Sequence, residues 1–139
     1  MNTAAIELAT DAMAHELLAR GEPIHFVARG QSMWPHIQDG ETVCVEPISS
    51  SLNVGDVVLI PHPGFGRLHR VIEVSSEGRV RIRGDALISA DGWFETDELG
   101  GRLRGIIRNG EEKRPADGRK TVLVSTVLGY ARRVVSLLK

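Results

Sequence analysis

The chain of 139 residues is long enough for one domain and leaves little room for a second. Its formal net charge of −1 argues against a general nucleic-acid binder, which usually carries a strong basic excess. The single cysteine, Cys44, excludes an internal disulfide framework and gives no cysteine cluster for a structural zinc. We expect no metal and no cofactor.

The N-terminus lacks the basic start and apolar run of a signal peptide, so none is predicted. No stretch reaches the roughly 18 consecutive apolar residues that a membrane-spanning helix needs. We therefore expect a soluble, cytoplasmic protein. Peripheral contact with the inner face of the membrane is left open as an alternative.

The first predicted element is an amphipathic helix over residues 3–20, because apolar residues recur at helical spacing from Ile6 to Leu17. Gly21 and then Pro23 are typical of the end of a helix. We expect this helix to pack against a β core that runs from about residue 22 to residue 112.

Short strands with turn signals between them are predicted through the β core. The predicted strands are Ile24–Val27, Thr42–Glu46, Val57–Ile60, Leu68–Val74, Arg79–Arg83 and Leu103–Arg108. The third of these is apolar throughout, which is typical of a buried strand. Trp93 and Phe94 are expected to cap an edge of the core. Asn109-Gly110 is a strong hairpin turn signal after the last predicted strand.

The C-terminal part is predicted to be a linker at residues 115–118 followed by an amphipathic helix at about residues 121–138. Basic residues near the end of this helix suit the helix dipole. We expect the helix to dock on the core or on a second subunit, which leaves a homo-oligomer open. The alternative is a basic amphipathic helix that rests on a membrane surface through residues 121–139.

Arginines are frequent between residues 67 and 108, and a basic sheet face is one means of binding nucleic acid. The near-zero net charge instead favours a solvated face on which these arginines pair with nearby Glu and Asp. We therefore expect no nucleic-acid partner.

The candidate chemistry is centred on Ser32, which lies between a permissive glycine and a stiffening proline in Gly30-Gln31-Ser32-Met33-Trp34-Pro35. A serine hydroxyl becomes a good nucleophile only when a neighbouring base removes its proton. All the lysines lie beyond the predicted β core, so that base must be a histidine. His69 lies on a predicted strand, which is a rigid place for a base. On the residues alone, a turn serine and a half-buried strand histidine remain the structural alternative.

Five short boxes follow one another along the chain. They are Gly30–Pro35, Gly40, Val54–Val58, Leu68–Val71 and Gly84-Asp85. Together they resemble the ordered boxes of the type I signal peptidase family, whose superfamily includes the self-cleaving SOS repressors. The similarity covers about residues 21–108 and is closest to the branch that uses a serine and a histidine. It implies a mainly β (α+β) fold, a coiled antiparallel β-sheet with a helix at each end, as one domain over residues 1–139.

The resemblance also implies an activity and a partner. The chain is similar to serine endopeptidases that cleave a peptide or protein substrate without a cofactor, and the missing membrane anchor favours a precursor or leader peptide. Ser32 would be the nucleophile and His69 the general base. Asp91 is similar to the aspartate that orients the histidine, and Asp85 would have a supporting role, with the reverse order left open.

The serine box supplies the candidate contacts to the substrate and the oxyanion, which are Gly30, Met33 and Pro35. Many family members carry a hydroxyl residue where this chain has Gly30, so backbone N–H groups, including that of Ser32, would have to stabilise the oxyanion. The alternative function is a catalytically silent peptide-binding or assembly module on the same fold.

Overall fold

The computed structural model describes residues 13–61, 66–116 and 118–123. Residues 13–19 and 118–123 are helical and flank the β core, and the second helical stretch includes Gly118, which was predicted to belong to the linker. Residues 3–12 and 124–138 of the two predicted helices lie outside the described residues. No helix in the described ranges is long and apolar enough to cross a membrane.

The β core contains eight strands in the described ranges. They are β1 (Ile24–Val27), β2 (Thr42–Glu46), β3 (Val57–Ile60), β4 (Arg67–Val74), β5 (Val80–Arg83), β6 (Gly92–Phe94), β7 (Gly101–Arg108) and β8 (Glu111–Lys113). All six predicted strands are confirmed, and their ends differ from the prediction by at most two residues. The hairpin turn between β7 and β8 is also confirmed, because Asn109 (φ 53°) and Gly110 (φ 77°) both adopt the positive φ that such a turn requires.

The strands form one antiparallel sheet in the order β1-β2-β7-β3-β4-β5-β6, and β8 pairs with β7. The long strand β7 pairs with β2, β3 and β8, so it joins the two halves of the sheet. β1 lies at one edge, and β4 lies between β3 and β5. His69 of β4 is directly opposite Val58 of β3, which places the histidine inside the sheet and away from its edges.

Two apolar clusters bury the sheet on both faces. Val57 and Leu59 belong to the first cluster, whereas Val58 and Ile60 belong to the second. Successive side chains of a strand point to opposite faces, so a strand covered on both faces has to be apolar at every position. The same reasoning applies to β2, where residues 43–45 are all fully buried.

The expectation that Trp93 and Phe94 cap the core is only partly correct. Both residues belong to the short edge strand β6, which pairs with β5 and which the sequence did not predict. Phe94 packs against the second apolar cluster, but Trp93 is 43% exposed. A three-residue strand is too short to show alternation, so its pairing partner defines it.

Carboxylates pair with many of the arginines in the β segment. Arg108 donates to Glu41 at 2.8 Å, and Arg104 donates to Glu112 at 3.1–3.3 Å. These hydrogen bonds hold the pKa of each of the two glutamates below its ordinary value. This pairing agrees with the interpretation of the arginine-rich segment as a charge-balanced surface.

Candidate active site

His69 is the centre of the candidate site. It is 1% exposed, and both of its ring nitrogens have a partner. Nε2 lies 3.0 Å from Ser32 Oγ, and Nδ1 lies 2.5 Å from Asp91 Oδ2. The tautomer that serves both contacts donates from Nδ1 to the carboxylate and accepts the hydroxyl hydrogen at Nε2. A general base directed at Ser32 needs this polarity.

Ser32 begins a turn over residues 32–36, between β1 and β2. Its carbonyl oxygen accepts the N–H of Ala86 at 2.9 Å. The next side chain, Met33, is buried in the first apolar cluster, and its Sδ accepts the N–H of Asp85 at 3.4 Å. The turn is therefore fixed to the loop of residues 84–91, and the hydroxyl is held in front of His69.

Asp91 lies at the end of that loop, immediately before β6. Its N–H donates to the carbonyl oxygen of Ile82 at 2.8 Å, which closes the loop. One carboxylate oxygen faces His69, and the other accepts a hydrogen bond from Arg67 Nη1 at 3.3 Å. The carboxylate is therefore oriented by a cation on one side and by the imidazole on the other. Arg67 was not predicted to belong to this site.

Asp85 contacts Arg70 and not the histidine. Its carboxylate is 2% exposed and accepts two hydrogen bonds from the guanidinium of Arg70, at 2.8 and 2.9 Å. The same guanidinium donates to the carbonyl oxygen of Gly55 at 2.8 Å. His36 Nδ1 is 3.0 Å from Asp85, but not in hydrogen-bond geometry. Asp85 thus anchors the loop of residues 84–91 to β4.

Gly84 makes the closest approach to the serine–histidine pair. A Cβ at this position would lie 2.7 Å from the carbonyl oxygen of Ser32 and 3.0 Å from His69 Nε2. Both distances are shorter than ordinary van der Waals contact, so any side chain at residue 84 would displace one of the two residues. Gly84 belongs to the Gly84-Asp85 box of the sequence, but no function was predicted for it.

A cavity of about 230 Å³ opens beside Ser32. Its lining comes from β1, from the serine turn and from the start of β4, and includes Phe26, Ala28, Gly30, Met33, Ile37 and Leu68. Two of the three predicted substrate contacts, Gly30 and Met33, therefore lie here. The third, Pro35, lines a different cavity.

Backbone N–H groups around Ser32 differ in whether they already have an acceptor. Gly30 adopts φ +92°, but its N–H already donates to Asp39 Oδ1 at 2.8 Å. The N–H of Ser32 has no acceptor within residues 13–61, 66–116 and 118–123. An oxygen that carried negative charge beside Ser32 Oγ would therefore find this N–H unoccupied.

Comparisons with other proteins add no family to these observations. No protein-family model matches the chain, and searches of the curated proteins and of the solved structures also found no match. The function is therefore argued from the contacts that surround Ser32 and His69.

Proposed function

We propose that the chain is a serine endopeptidase, similar to signal peptidases, that cleaves a precursor or leader peptide. The observation that carries this proposal is the line of contacts from Asp91 through His69 to Ser32, with distances of 2.5 and 3.0 Å. A carboxylate, an imidazole and a hydroxyl in this order form the arrangement that activates a serine for acyl transfer. The burial of His69 supports it further, because a base shielded from water keeps its fixed orientation.

The reaction would proceed in two stages. Ser32 Oγ attacks the carbonyl carbon of the scissile peptide bond while His69 Nε2 takes the hydroxyl proton, and Asp91 stabilises the imidazolium that forms. The N–H of Ser32 donates to the oxygen of the tetrahedral intermediate. His69 then transfers the proton to the leaving amine, the C–N bond breaks, and water hydrolyses the acyl-enzyme by the same route.

The edge of the sheet supports an extended peptide as the substrate. β1 pairs only with β2 within the described residues, and the same strand lines the cavity beside Ser32. A peptide that added to the edge of β1 would form main-chain hydrogen bonds and direct alternate side chains to one face. One of these side chains would enter the cavity, and the carbonyl that follows it would lie at Ser32. The resemblance to signal peptidases adds the expectation of small residues just before the cut.

The test is covalent labelling with a fluorophosphonate, followed by mass spectrometry of the intact protein and of its peptides. We expect one adduct, located on Ser32, and no adduct on the Ser32→Ala variant. Ser89→Ala is the matched control, because Ser89 is an exposed serine outside the contacts described above. Equal labelling of wild-type protein and Ser32→Ala would rule out Ser32 as the nucleophile.

Labelling, together with assays of peptide cleavage and peptide binding, separates the peptidase from the silent peptide-binding module. The peptidase predicts labelling, and it predicts cleavage of some members of a peptide library at one type of bond. The silent module predicts neither, but it predicts that peptides still bind. Peptide binding without labelling would therefore favour the module.

A further inference from the structure

Three side chains from different strands of the sheet bring together a nitrogen, a sulfur and a carboxylate oxygen. His25 of β1, Cys44 of β2 and Glu112 of β8 place one such atom each within 4.8 Å of the others. Imidazole nitrogen, thiolate sulfur and carboxylate oxygen are the ligand types that zinc takes in proteins. We propose that these three residues form a Zn²⁺ site, with water as the fourth ligand.

The register of the sheet accounts for the meeting of the three residues. His25 is directly opposite Cys44 in the β1–β2 pair, and Cys44 is opposite Gly105 in the β2–β7 pair. A Cβ at residue 105 would lie only 2.5 Å from Glu112 Cγ. The missing side chain at Gly105 therefore makes the space through which Glu112 reaches across β7 towards Cys44.

The separation of the donor atoms suits an ion after a small adjustment. Zinc bonds of about 2.0–2.3 Å in a tetrahedral arrangement place donor atoms roughly 3.3–3.8 Å apart, so atoms that lie within 4.8 Å of one another must close by at most about 1.5 Å. Cys44 is fully buried and fixed by its strand, whereas His25 and Glu112 are at the surface. These two side chains can therefore move to close around an ion.

A second layer of contacts already orients the carboxylate. Arg104 Nε lies 3.2 and 3.3 Å from the two oxygens of Glu112, and Arg104 Nη2 lies 3.1 Å from one of them. Carboxylates that bind metal ions are commonly held by outer hydrogen bonds of this kind. Glu112 Oε1 accepts two of these hydrogen bonds, whereas Oε2 accepts one and keeps a further lone pair for the ion. The thiol proton is released to solvent when the Zn–S bond forms.

The site is separate from the serine–histidine pair. Phe26, next to His25 in β1, packs against the first core cluster and lines the cavity beside Ser32. Adjacent residues of a strand point to opposite faces, so His25 and the proposed ion lie on the other face of β1. A bound ion would join β1 and β8 to β2, and its presence does not depend on the proposed peptidase activity.

The test uses the full chain after treatment with a chelator. We expect isothermal titration with Zn²⁺ to give one ion per chain, and Co²⁺ in its place to give the intense charge-transfer absorption of a thiolate ligand. We also expect the thermal midpoint of unfolding to rise with Zn²⁺ concentration, because an ion that binds only the folded state stabilises it.

Single substitutions of the ligands give the decisive comparison. His25→Gln and Glu112→Gln change surface side chains, and each should weaken Zn²⁺ binding at least about tenfold. Cys44→Ser should abolish the charge-transfer absorption of bound Co²⁺. Glu111→Gln is the matched control, since Glu111 is the exposed neighbour that pairs with Lys113, and it should bind as wild type does. Absence of stoichiometric binding, or unchanged affinity in both His25→Gln and Glu112→Gln, would overturn the proposal.

Discussion

The substitution Asp91→Asn tests the orientation of the imidazole, because it keeps the size of the side chain and removes its charge. One oxygen of Asp91 faces His69 Nδ1, and the other accepts from Arg67 Nη1. A guanidinium only donates hydrogen bonds, so the amide oxygen of the asparagine should turn to Arg67. The amide NH₂ then faces Nδ1, the ring hydrogen moves to Nε2, and Nε2 no longer accepts the proton of Ser32.

The expected loss of Ser32 reactivity follows from the free energy needed to reverse the orientation of the asparagine amide. Placing the NH₂ group against the guanidinium would leave a donor facing a donor, at a cost of about 1–3 kcal/mol. The productive orientation is then populated roughly 1–20% of the time, so orientation alone predicts a fall of about 5- to 100-fold in the reactivity of Ser32. Loss of the negative charge beside the imidazolium adds to this, towards a total of about 10⁴-fold, or about 5 kcal/mol.

The assay is the second-order rate constant of fluorophosphonate labelling, followed by intact mass, since it needs no known substrate. Asp97→Asn is the matched control, because Asp97 is an exposed carboxylate in the short 3₁₀ helix Thr96–Glu98. A circular dichroism melt of each variant separates a loss of reactivity from a loss of fold.

The double variant Arg67→Ala with Asp91→Asn isolates the orientation part of the effect. Without the guanidinium, the amide can present its oxygen to His69, so labelling should recover at least about fivefold relative to Asp91→Asn alone. Labelling of Asp91→Asn within about threefold of the wild-type rate would refute the proposed role of the carboxylate. A double variant no faster than Asp91→Asn would refute the argument from Arg67.

Three further predictions concern neighbouring residues. Gly84→Ala should slow labelling about a hundredfold, because its Cβ must displace the reacting groups by a few tenths of an ångström; a normal rate would contradict the close approach. Asp85→Asn should lower the free energy of unfolding in urea by about 3–5 kcal/mol, since it leaves the buried guanidinium of Arg70 without its counter-charge; a loss below about 1 kcal/mol would contradict this. Glu41→Gln should lower the thermal midpoint near neutral pH but not in acid. Arg108 lowers the pKa of Glu41 from its usual 4.5, so the carboxylate stabilises the fold above that value and loses its effect as the pH falls through the lower folded pKa. A difference between wild type and Glu41→Gln that stays constant with pH would contradict this assignment.

Most of the sheet could be predicted because its signals are local. Val57–Ile60 is apolar at every position, as a strand covered on both faces must be. Asn109-Gly110 is a typical turn sequence for a hairpin, and both residues adopt positive φ. The edge strand β6 could not be predicted, because three residues carry too little pattern and only the pairing with β5 defines them.

The base of the candidate site could be predicted, because only a few residue types can remove the proton of a serine. Residues 22–112 contain no lysine, so a histidine was predicted as the base for Ser32, although Lys113 ends strand β8 of the observed core. Spacing could not decide whether Asp85 or Asp91 reaches the imidazole, since that depends on how the loop of residues 84–91 closes onto Ile82. The contribution of Gly84 was equally hidden, because it follows from a close approach to residues distant in sequence.

The cluster of His25, Cys44 and Glu112 was even harder to predict from the spacing of residues along the chain. Its members come from strands that are far apart along the chain, so no spacing motif relates them. The expectation of no metal site considered the number of cysteines, and such a count does not reveal a cluster that mixes three ligand types.

The separations within the candidate site have a consequence for how the chain folds. Ser32 and His69 are 37 residues apart, and His69 and Asp91 are 22 residues apart. Contacts between distant parts of a chain form late and slowly, because loop closure has to precede them. Under the proposed function, a chain that is still assembling its sheet therefore has no activated serine. Reactivity at Ser32 should appear only when the last of these long-range contacts has formed, which would protect the unfinished chain and its neighbours from premature cleavage.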